Sequence, residues 1–181
     1  EDHLNRSDYN FENYIKAKFN IVKNQTAEDF FIYNADDPVT AAHLKQYPFH
    51  SQPLPISMQR ELPKGAFIKD GTMHLRQGES MSMSIFDFAL KGKHNQYNTM
   101  AAAVASSVVG IRKDKIRDAV ASFESLEHRM EKVATIRGIE FVNDSKATNV
   151  NSTWFALESM DKPVTLILGG VDKGNDYDLI R

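Results

Sequence analysis

The chain has 181 residues, 41% of them hydrophobic, with 22 basic against 24 acidic residues and a net charge of −2, which supplies a core but no general attraction to nucleic acid or anionic membrane. It has no cysteine, which excludes disulfides and thiolate metal sites. No apolar run approaches the roughly 18 residues of a membrane span, and no secretory signal pattern opens the chain, so we expect a cytoplasmic protein without membrane insertion.

The N-terminal part predicts a helix, a buried strand and a second, short helix. Asn10 is the predicted N-cap of the first helix, and the residues that recur at helical spacing after it are Phe11, Ile15, Lys18 and Val22. Residues 29–34 ("DFFIYN") predict a buried strand. Asp37 and Pro38 then begin the short helix, because an aspartate cap and a proline at the first helical position favour a helix start.

The middle of the chain predicts strands followed by two helices. Residues 50–88 predict strands, and the clearest pair is a hairpin with Asp70-Gly71 at its turn. Residues 94–110 predict an alanine- and serine-rich helix that Gly110 closes. The next predicted helix, 113–126, has one apolar face formed by Ile116, Ala119, Val120, Phe123 and Leu126.

The C-terminal part predicts a strand-helix-strand unit. Residues 138–143 ("GIEFVN") predict a strand, "STWFALESM" a helix, and residues 164–170 ("VTLILGG") a second strand parallel to the first. The fold class is therefore α/β, with a domain boundary near residues 126–127. Since the chain opens without methionine and stops just after a helix begins, we expect a piece of a longer protein.

Polar loops follow both predicted C-terminal strands. The loops are residues 143–149 ("NDSKATN") and 169–176 ("GGVDKGND"), and they carry Lys146 and Lys173. Because the carboxyl ends of parallel strands meet at one sheet edge, we expect the two lysines to lie near each other and to suit a carboxylate or phosphate. The alternative is a capped turn and a glycine turn with two solvated lysines.

Lys18 falls where the helical stripe predicts an apolar residue. One interpretation buries its aliphatic stem and leaves the ammonium in water. The other is a reactive neutral amine that forms a carbamate with carbon dioxide, an anionic oxygen ligand suited to Mg²⁺.

Two further polar segments have both a structural and a chemical interpretation. In residues 1–6 ("EDHLNR"), His3 and the two acids before it either approach a cation or lie on the surface. In residues 91–98 ("KGKHNQYN"), Asn95 and Asn98 share one helix face, where they either cap the helix or bind a base edge or phosphate. No phosphate-binding G-x-x-x-x-G-K-[ST] motif occurs in the chain.

Several of these motifs, in this order, resemble the Mur ligases, the ATP-dependent amide-forming enzymes of peptidoglycan precursor synthesis. The motifs are "EDHLNR" with a lysine 15 residues after its histidine, "NADD", "KHNQYNTMAAA", "LEHRME", "NDSKATN" and "LGGVDKGND". The histidine-asparagine motif is shared with folate-polyglutamate ligases, so it indicates only the superfamily. "NDSKATN" followed by "ST" and the glycine loop is similar to the D-glutamate-adding members. The resemblance is weakest over residues 50–88.

The resemblance implies a domain organisation. Residues 1–126 would be the later part of a central, P-loop-type ATP-binding domain with a mixed sheet, and residues 127–181 the first part of a Rossmann-like, amino-acid-binding C-terminal domain. The phosphate loop would precede the "EDH" segment.

It also implies a role for each matching residue. His3 would ligate Mg²⁺, and Lys18, as a carbamate, would support a second Mg²⁺. Nucleotide contacts would come from Asn95, Asn98, Arg129 and Asp144. The carboxylates of D-glutamate would be held by Lys146, Thr148 and Lys173. The departures from the family pattern are Asn5, where aspartate is common, and the spacing of "GGVDKG".

The implied activity is ATP-dependent addition of D-glutamate to UDP-N-acetylmuramoyl-L-alanine through an acyl phosphate, by a monomeric parent protein. The isolated 181 residues would be inactive, because half of the ATP site would be absent. A sister ligase that adds another amino acid, or a non-catalytic nucleotide-binding module, stays open as an alternative.

Overall fold

The computed structural model describes residue 8 and residues 10–124, 126–171 and 174–180. The chain divides into two compact units. The first unit comprises residues 1–89 and 96–122, and the second comprises residues 90–95 and 123–181. Each unit is described by itself below.

A mixed five-stranded sheet forms the centre of the first unit. The strand order is β1-β2-β3-β4-β5, with parallel pairing from β1 to β3 and antiparallel pairing from β3 to β5. This confirms the predicted α/β class with a mixed sheet. The strands are β1 (Phe30–Asn34), β2 (Gln52–Ser57), β3 (Gly65–Lys69), β4 (Thr72–Arg76) and β5 (Met81–Ser84).

The hairpin between β3 and β4 turns at Asp70-Gly71, as predicted. Lys69 pairs with Thr72, which leaves two turn residues. Both have left-handed backbone angles, with φ of 48° at Asp70 and 70° at Gly71. Two consecutive left-handed residues twist a hairpin in the same sense as its strands, and this explains why Asp-Gly is a strong hairpin signal.

The two predicted N-terminal helices are present and capped as expected. In α1 (Phe11–Phe19), the Asn10 side chain accepts a hydrogen bond from the Asn13 N–H at 3.1 Å. In α2 (Pro38–His43), Asp37 accepts one from the Thr40 N–H at 2.8 Å. Each cap satisfies a backbone donor that the first helical turn leaves unpaired.

The core of the first unit lies between the sheet and two further helices. α3 (Lys93–Val108) contributes Met100, Ala103 and Val104, all at most 1% exposed. α4 (Lys113–Ser122) contributes Ile116. None of the helices in the described ranges has the length and apolar character needed to cross a membrane.

The predicted extent of α4 was wrong. The helix ends at Ser122, whose hydroxyl donates to the Asp118 carbonyl at 2.7 Å, instead of continuing to residue 126. Ala119 and Phe123 are exposed rather than on the buried face. Apolar spacing alone overestimated this helix, because most helical stability in a protein comes from burial of an apolar face, and Ala119 and Phe123 are not buried.

The described C-terminal part of the second unit, from residue 126 onward, contains a two-stranded antiparallel sheet and one α-helix. Its elements are β6 (Glu131–Ile136), β7 (Ile139–Asn143) and α5 (Val150–Glu158). β7 and α5 were predicted, and Asn149 caps α5 by accepting from the Ser152 N–H at 2.8 Å. β6 was missed, because its residues show no regular alternation of buried and exposed side chains and its pairing has a register shift between Lys132 and Ala134.

The predicted second strand at residues 164–170 was wrong. In the described part of the chain this segment has no strand partner, so the predicted parallel strand-helix-strand unit is not formed there. Ile167 is 90% exposed. An apolar run becomes a strand only when a neighbouring strand satisfies its N–H and C=O groups, and sequence pattern does not supply that neighbour.

Candidate functional site

Two polar segments of the second unit, residues 126–131 and residues 143–149, are joined by hydrogen bonds, and we call them together the loop pair. The Lys146 N–H donates to the His128 carbonyl at 3.0 Å. The Met130 N–H donates to the Asp144 carboxylate at 3.1 Å. The "LEHRME" and "NDSKATN" motifs, separate in sequence, therefore lie side by side.

Further hydrogen bonds hold the loop pair in an unusual backbone conformation. His128 and Met130 have φ of 66° and 48°, a region that side chains other than glycine rarely adopt. The Glu131 carboxylate accepts from the His128 N–H at 2.8 Å and from the Asn143 amide at 3.3 Å. The Asn143 amide nitrogen also lies 2.8 Å from Nδ1 of His128. Strained residues persist only where the surroundings overdetermine them, and they cluster at functional sites.

The loop pair brings several predicted site residues into one region. Asp144 is half-buried and binds the residue directly after Arg129. Arg129, Lys146 and Thr148 are exposed. The Lys146 N–H is bound to the His128 carbonyl and the residue is exposed, a geometry that is compatible with an anionic ligand. The predicted ligand roles of these residues stay predictions.

A second set of contacts surrounds the start of α3, within the second unit. The His94 ring lies 5.5 Å from the Phe155 ring, between centroids. The Lys93 ammonium lies 3.0 Å from the Glu158 carboxylate. Partial burial lowers the pKa of His94, and the Asp144 and Glu158 carboxylates act in the opposite direction. His94 is therefore mainly neutral at pH 7.

The two asparagines of the "KHNQYN" motif occupy consecutive turns of α3. The Asn95 amide donates to the Lys91 carbonyl at 2.8 Å, a local bond to the chain before the helix. Asn98 is exposed. The Asn95 contact is local but is not an N-cap, because the amide donates to a carbonyl and does not accept from an N–H of the first turn. Nucleotide binding by either asparagine stays a prediction.

The expectation that Lys18 lies on the apolar stripe of α1 was wrong. The buried residues are Ile15 and Phe19, and Lys18 is exposed with its ammonium 5.3 Å from the centroid of the Tyr14 ring. The stripe drifts around a helix of 3.6 residues per turn, so a residue three positions after Ile15 sits beside the buried line rather than on it. The residue is therefore not buried, and the carbamate role of Lys18 stays a prediction.

Some predicted site residues lie outside the described residues, namely His3, its neighbours Glu1, Asp2 and Asn5, and Lys173. The predicted proximity of Lys146 to Lys173 and the predicted Mg²⁺ site therefore stay predictions. Among the residues the structure does describe, no three His, Asp or Glu side chains converge to hold a metal ion.

Sequence reasoning used the "NADD" motif only as a family marker and missed the hydrogen-bond network around Asp36 in the first unit. One Asp36 oxygen accepts from the Ser57 hydroxyl at 2.6 Å. The other accepts from the Met58 N–H at 2.6 Å and the Tyr97 hydroxyl at 2.8 Å. Partial burial acts to raise the pKa of Asp36, but these hydrogen bonds together outweigh it and hold the pKa below its ordinary value.

The same contact affects the other partner. Burial, together with the bond to the Asp36 carboxylate, raises the pKa of Tyr97 to about 12. Tyr97 is thus a committed hydroxyl donor at physiological pH. The sequence shows that an aspartate and a tyrosine are present, but it does not show that they meet, because they are 61 positions apart in the chain.

A mixed sheet with packed helices in the first unit, and a polar loop pair in the second, define an α/β protein. The model of the family described as "Mur ligase middle domain" matches residues 1–106, which is more than half of the chain. The chain belongs to the Mur ligase family.

Curated relatives are similar to nearly the whole chain. A UDP-N-acetylmuramoylalanine--D-glutamate ligase from Christiangramia forsetii is 49% identical over 178 residues, which is 98% of this chain and 40% of that protein. A protein of the same name from Bacteroides fragilis is 47% identical over 176 residues, 97% of this chain and 40% of that protein. The chain thus spans about 40% of the length of these relatives.

Solved structures share the fold at low sequence identity. A pseudomurein peptide ligase type C from Methanothermus fervidus has a TM-score of 0.64 at 18% identity, covering 90% of this chain and 39% of its own. MurF from Acinetobacter baumannii has a TM-score of 0.65 at 14% identity, covering 88% and 35%. These similarities concern the fold alone.

Proposed function

We propose that this chain is part of an ATP-dependent ligase that adds D-glutamate to UDP-N-acetylmuramoyl-L-alanine in peptidoglycan precursor synthesis. The observation that carries the proposal is the 47–49% identity, over almost the entire chain, to relatives named as D-glutamate ligases. Because the chain spans about 40% of those relatives, the activity belongs to a longer protein. That protein would act as a cytoplasmic monomer.

The domain assignment is part of this proposal. Residues 1–126 would be the later part of the central ATP-binding domain, and residues 127–181 the first part of the Rossmann-like domain that binds the amino acid. The division of the chain into two compact units after residue 122 supports a boundary in this region.

On the amino-acid side, Lys146, Thr148 and Lys173 would hold the two carboxylates of D-glutamate. Support comes from the Lys146 backbone, which is fixed by its bond to the His128 carbonyl while the side chain is exposed. A basic group on a fixed backbone can position a carboxylate at lower entropic cost than one on a free loop.

On the nucleotide side, Asn95 and Asn98 would lie near the adenine, and Arg129 and Asp144 would reach the ATP. Support comes from the loop pair, in which Asp144 binds the residue next to Arg129. A shift of either segment would therefore move both residues, so the pair can act as one element toward the nucleotide.

The cofactors of the proposed reaction are ATP and Mg²⁺. His3 would hold one Mg²⁺ ion and a carbamylated Lys18 would support a second, and the ions when bound would neutralise phosphate charge. The donor chemistry is suitable, since a carbamate offers hard oxygen atoms. The exposure of the Lys18 side chain leaves its amine accessible to carbon dioxide.

The residues of this chain would serve the reaction mainly by positioning. The substrate carboxylate attacks the γ-phosphate of ATP and gives an acyl phosphate with release of ADP. The amine of D-glutamate then attacks the acyl carbon, and phosphate leaves from the tetrahedral intermediate. Holding the amine within reach of that carbon converts a bimolecular step into an intramolecular one.

The proposal is tested by phosphate release from the full-length protein encoded by the gene. The assay contains ATP, Mg²⁺ and UDP-N-acetylmuramoyl-L-alanine, with D-glutamate, L-glutamate, L-lysine or meso-diaminopimelate added in turn. We expect release only with D-glutamate. Release with a different amino acid would keep the ligase reaction and refute the substrate, and no release with any of them would favour a nucleotide-binding module.

A further inference from the structure

The Asp36 network links the ends of two parallel strands of the first unit to a helix. Asp36 lies just after β1, Ser57 is the last residue of β2, and Tyr97 belongs to α3. A single carboxylate therefore connects all three elements. Of the hydrogen bonds it accepts, the one from Tyr97 is the link to the helix.

The strand side of this network is rigid. Ser57 is fully buried, and its hydroxyl accepts from the N–H groups of Gln59 and Arg60, both at 3.0 Å, while it donates to Asp36. The Arg60 guanidinium donates to the Ala35 carbonyl at 2.8 Å. Ser57 and Met58 thus hold the Asp36 carboxylate independently of Tyr97, so it is a fixed acceptor for the tyrosine hydroxyl of the helix.

The helix side depends on a directional bond. The face of α3 that packs on the sheet includes the apolar side chains Met100, Ala103 and Val104, whose hydrophobic contacts are not directional. A hydrogen bond to a charged acceptor is short and directional, so it restricts the helix in a way that these contacts do not.

Tyr97 directly precedes Asn98, which the proposed function places at the nucleotide. Neighbouring helical residues are about 100° apart around the axis, so fixing one fixes the direction of the next. We propose that Asp36 and Tyr97 are positioning residues that set the rotation of α3, so that Asn98 meets the adenine side of the nucleotide. This inference rests on the proposed function.

The test uses the full-length protein and the substitution Tyr97→Phe, which removes the hydroxyl and keeps the ring. The dissociation constant of Mg·ATP is measured by calorimetry, and the KM values for ATP and D-glutamate by phosphate release. We expect ATP binding and the KM for ATP to weaken roughly tenfold, because without this hydrogen bond α3 holds the binding orientation only part of the time and the apparent affinity falls by that fraction. The KM for D-glutamate should stay within about twofold.

The matched control is Ser107→Ala on the same helix. The Ser107 hydroxyl donates to the Gln77 carbonyl at 2.6 Å, so its loss also removes a bond between α3 and the sheet region. It lies ten positions after Tyr97, about 15 Å along the helix. We expect it to lower the Tm by a similar amount without weakening ATP binding.

Two results would overturn the inference. One is wild-type ATP affinity in Tyr97→Phe, and the other is equal weakening in Ser107→Ala, which would mean a merely structural role. Both are read from ATP binding alone. Failure of the proposed function is read separately, as absence of D-glutamate-dependent phosphate release in the wild type.

A double-mutant cycle tests the Asp36 part. Both Asp36→Asn and Tyr97→Phe alter the hydrogen bond between these two residues, and Asp36→Asn also alters the bonds from Ser57 and Met58. We therefore expect the double variant to bind ATP no more than about twofold more weakly than Asp36→Asn alone. Fully additive losses would mean that the two residues act independently, and the shared positioning role would be wrong.

Discussion

The Asp144 carboxylate accepts a hydrogen bond from the Met130 N–H at 3.1 Å, and the two residues are 14 positions apart in the chain. Asp144 thus has a structural role in addition to the nucleotide role proposed for it. Met130 has a left-handed backbone, which needs such support to persist. The Asp144 side chain is therefore one of the groups that hold the geometry of the loop pair, and it is the one that binds the Met130 N–H.

Replacing Asp144 by alanine should loosen the loop pair. The Met130 N–H would lose its acceptor, and we expect its hydrogen-exchange rate to rise at least about tenfold, with a fall in kcat/KM for ATP. Asp161→Ala, at an exposed position after α5, is the control and should change neither quantity. Unchanged exchange at Met130 in Asp144→Ala would contradict the structural role.

Lys146→Ala should act on the amino-acid substrate. We expect the KM for D-glutamate to rise at least about tenfold, because a charged partner of a carboxylate is lost. The Tm should change little, since the side chain is exposed and only the backbone N–H takes part in the loop pair. Lys162→Ala, which removes an exposed pair with Glu140 at 3.2 Å, is the matched control. Equal KM values in both variants would rule out the Lys146 assignment.

Gly65→Ala should destabilise the first unit far more than Gly138→Ala destabilises the second. Both glycines have left-handed backbones, with φ of 86° and 81°. A Cβ at Gly65 would lie 1.9 Å from the Pro55 carbonyl oxygen, whereas nothing lies within 4 Å of one at Gly138. We expect a loss of roughly 1 kcal/mol at Gly138 and at least about 3 kcal/mol at Gly65, measured by urea unfolding. Equal losses would show that β2 and β3 do not approach so closely.

His94 should titrate below its ordinary pKa, because burial disfavours the imidazolium. The sign for stability follows from this depressed folded pKa. His94 contributes to the free energy of unfolding at pH values above its unfolded pKa of about 6.5, and this contribution is lost as the pH falls through its folded pKa. An NMR titration of the His94 ring measures its folded pKa, and the free energy of unfolding is measured between about pH 7 and pH 5.

Asp144→Asn provides a directional check on the same histidine. The Asp144 carboxylate favours the imidazolium, so its neutralisation should lower the His94 pKa further. Glu158→Gln should shift it the same way, since that carboxylate acts in the same direction. A rise in the His94 pKa in either variant would contradict the electrostatic arrangement around the start of α3.

The local elements of the fold could be predicted because their causes are local. The Asn10 and Asp37 caps bind N–H groups three residues onward, and the Asp70-Gly71 turn depends on its own backbone angles. Such features need only the nearby sequence. The family motifs were visible for the same reason, since each is a short run of residues.

The features that were mispredicted depend on neighbours in space. The segment 164–170 had the composition of a strand but has no partner strand in the described part, and β6 had a partner but no clear pattern. Lys18 was assigned to a buried stripe whose exact direction only the packing of Ile15 and Phe19 reveals.

The sequence by itself determined the α/β class, the caps, the hairpin turn and the residue types available for a ligand site. Only the tertiary structure decided that Asp144 supports Met130 and that Asp36 meets Tyr97 across 61 positions. The physical reason is that caps and turns are set by interactions within a few residues. A contact between distant residues depends instead on how whole elements pack, and many sequences with the same local pattern would pack differently.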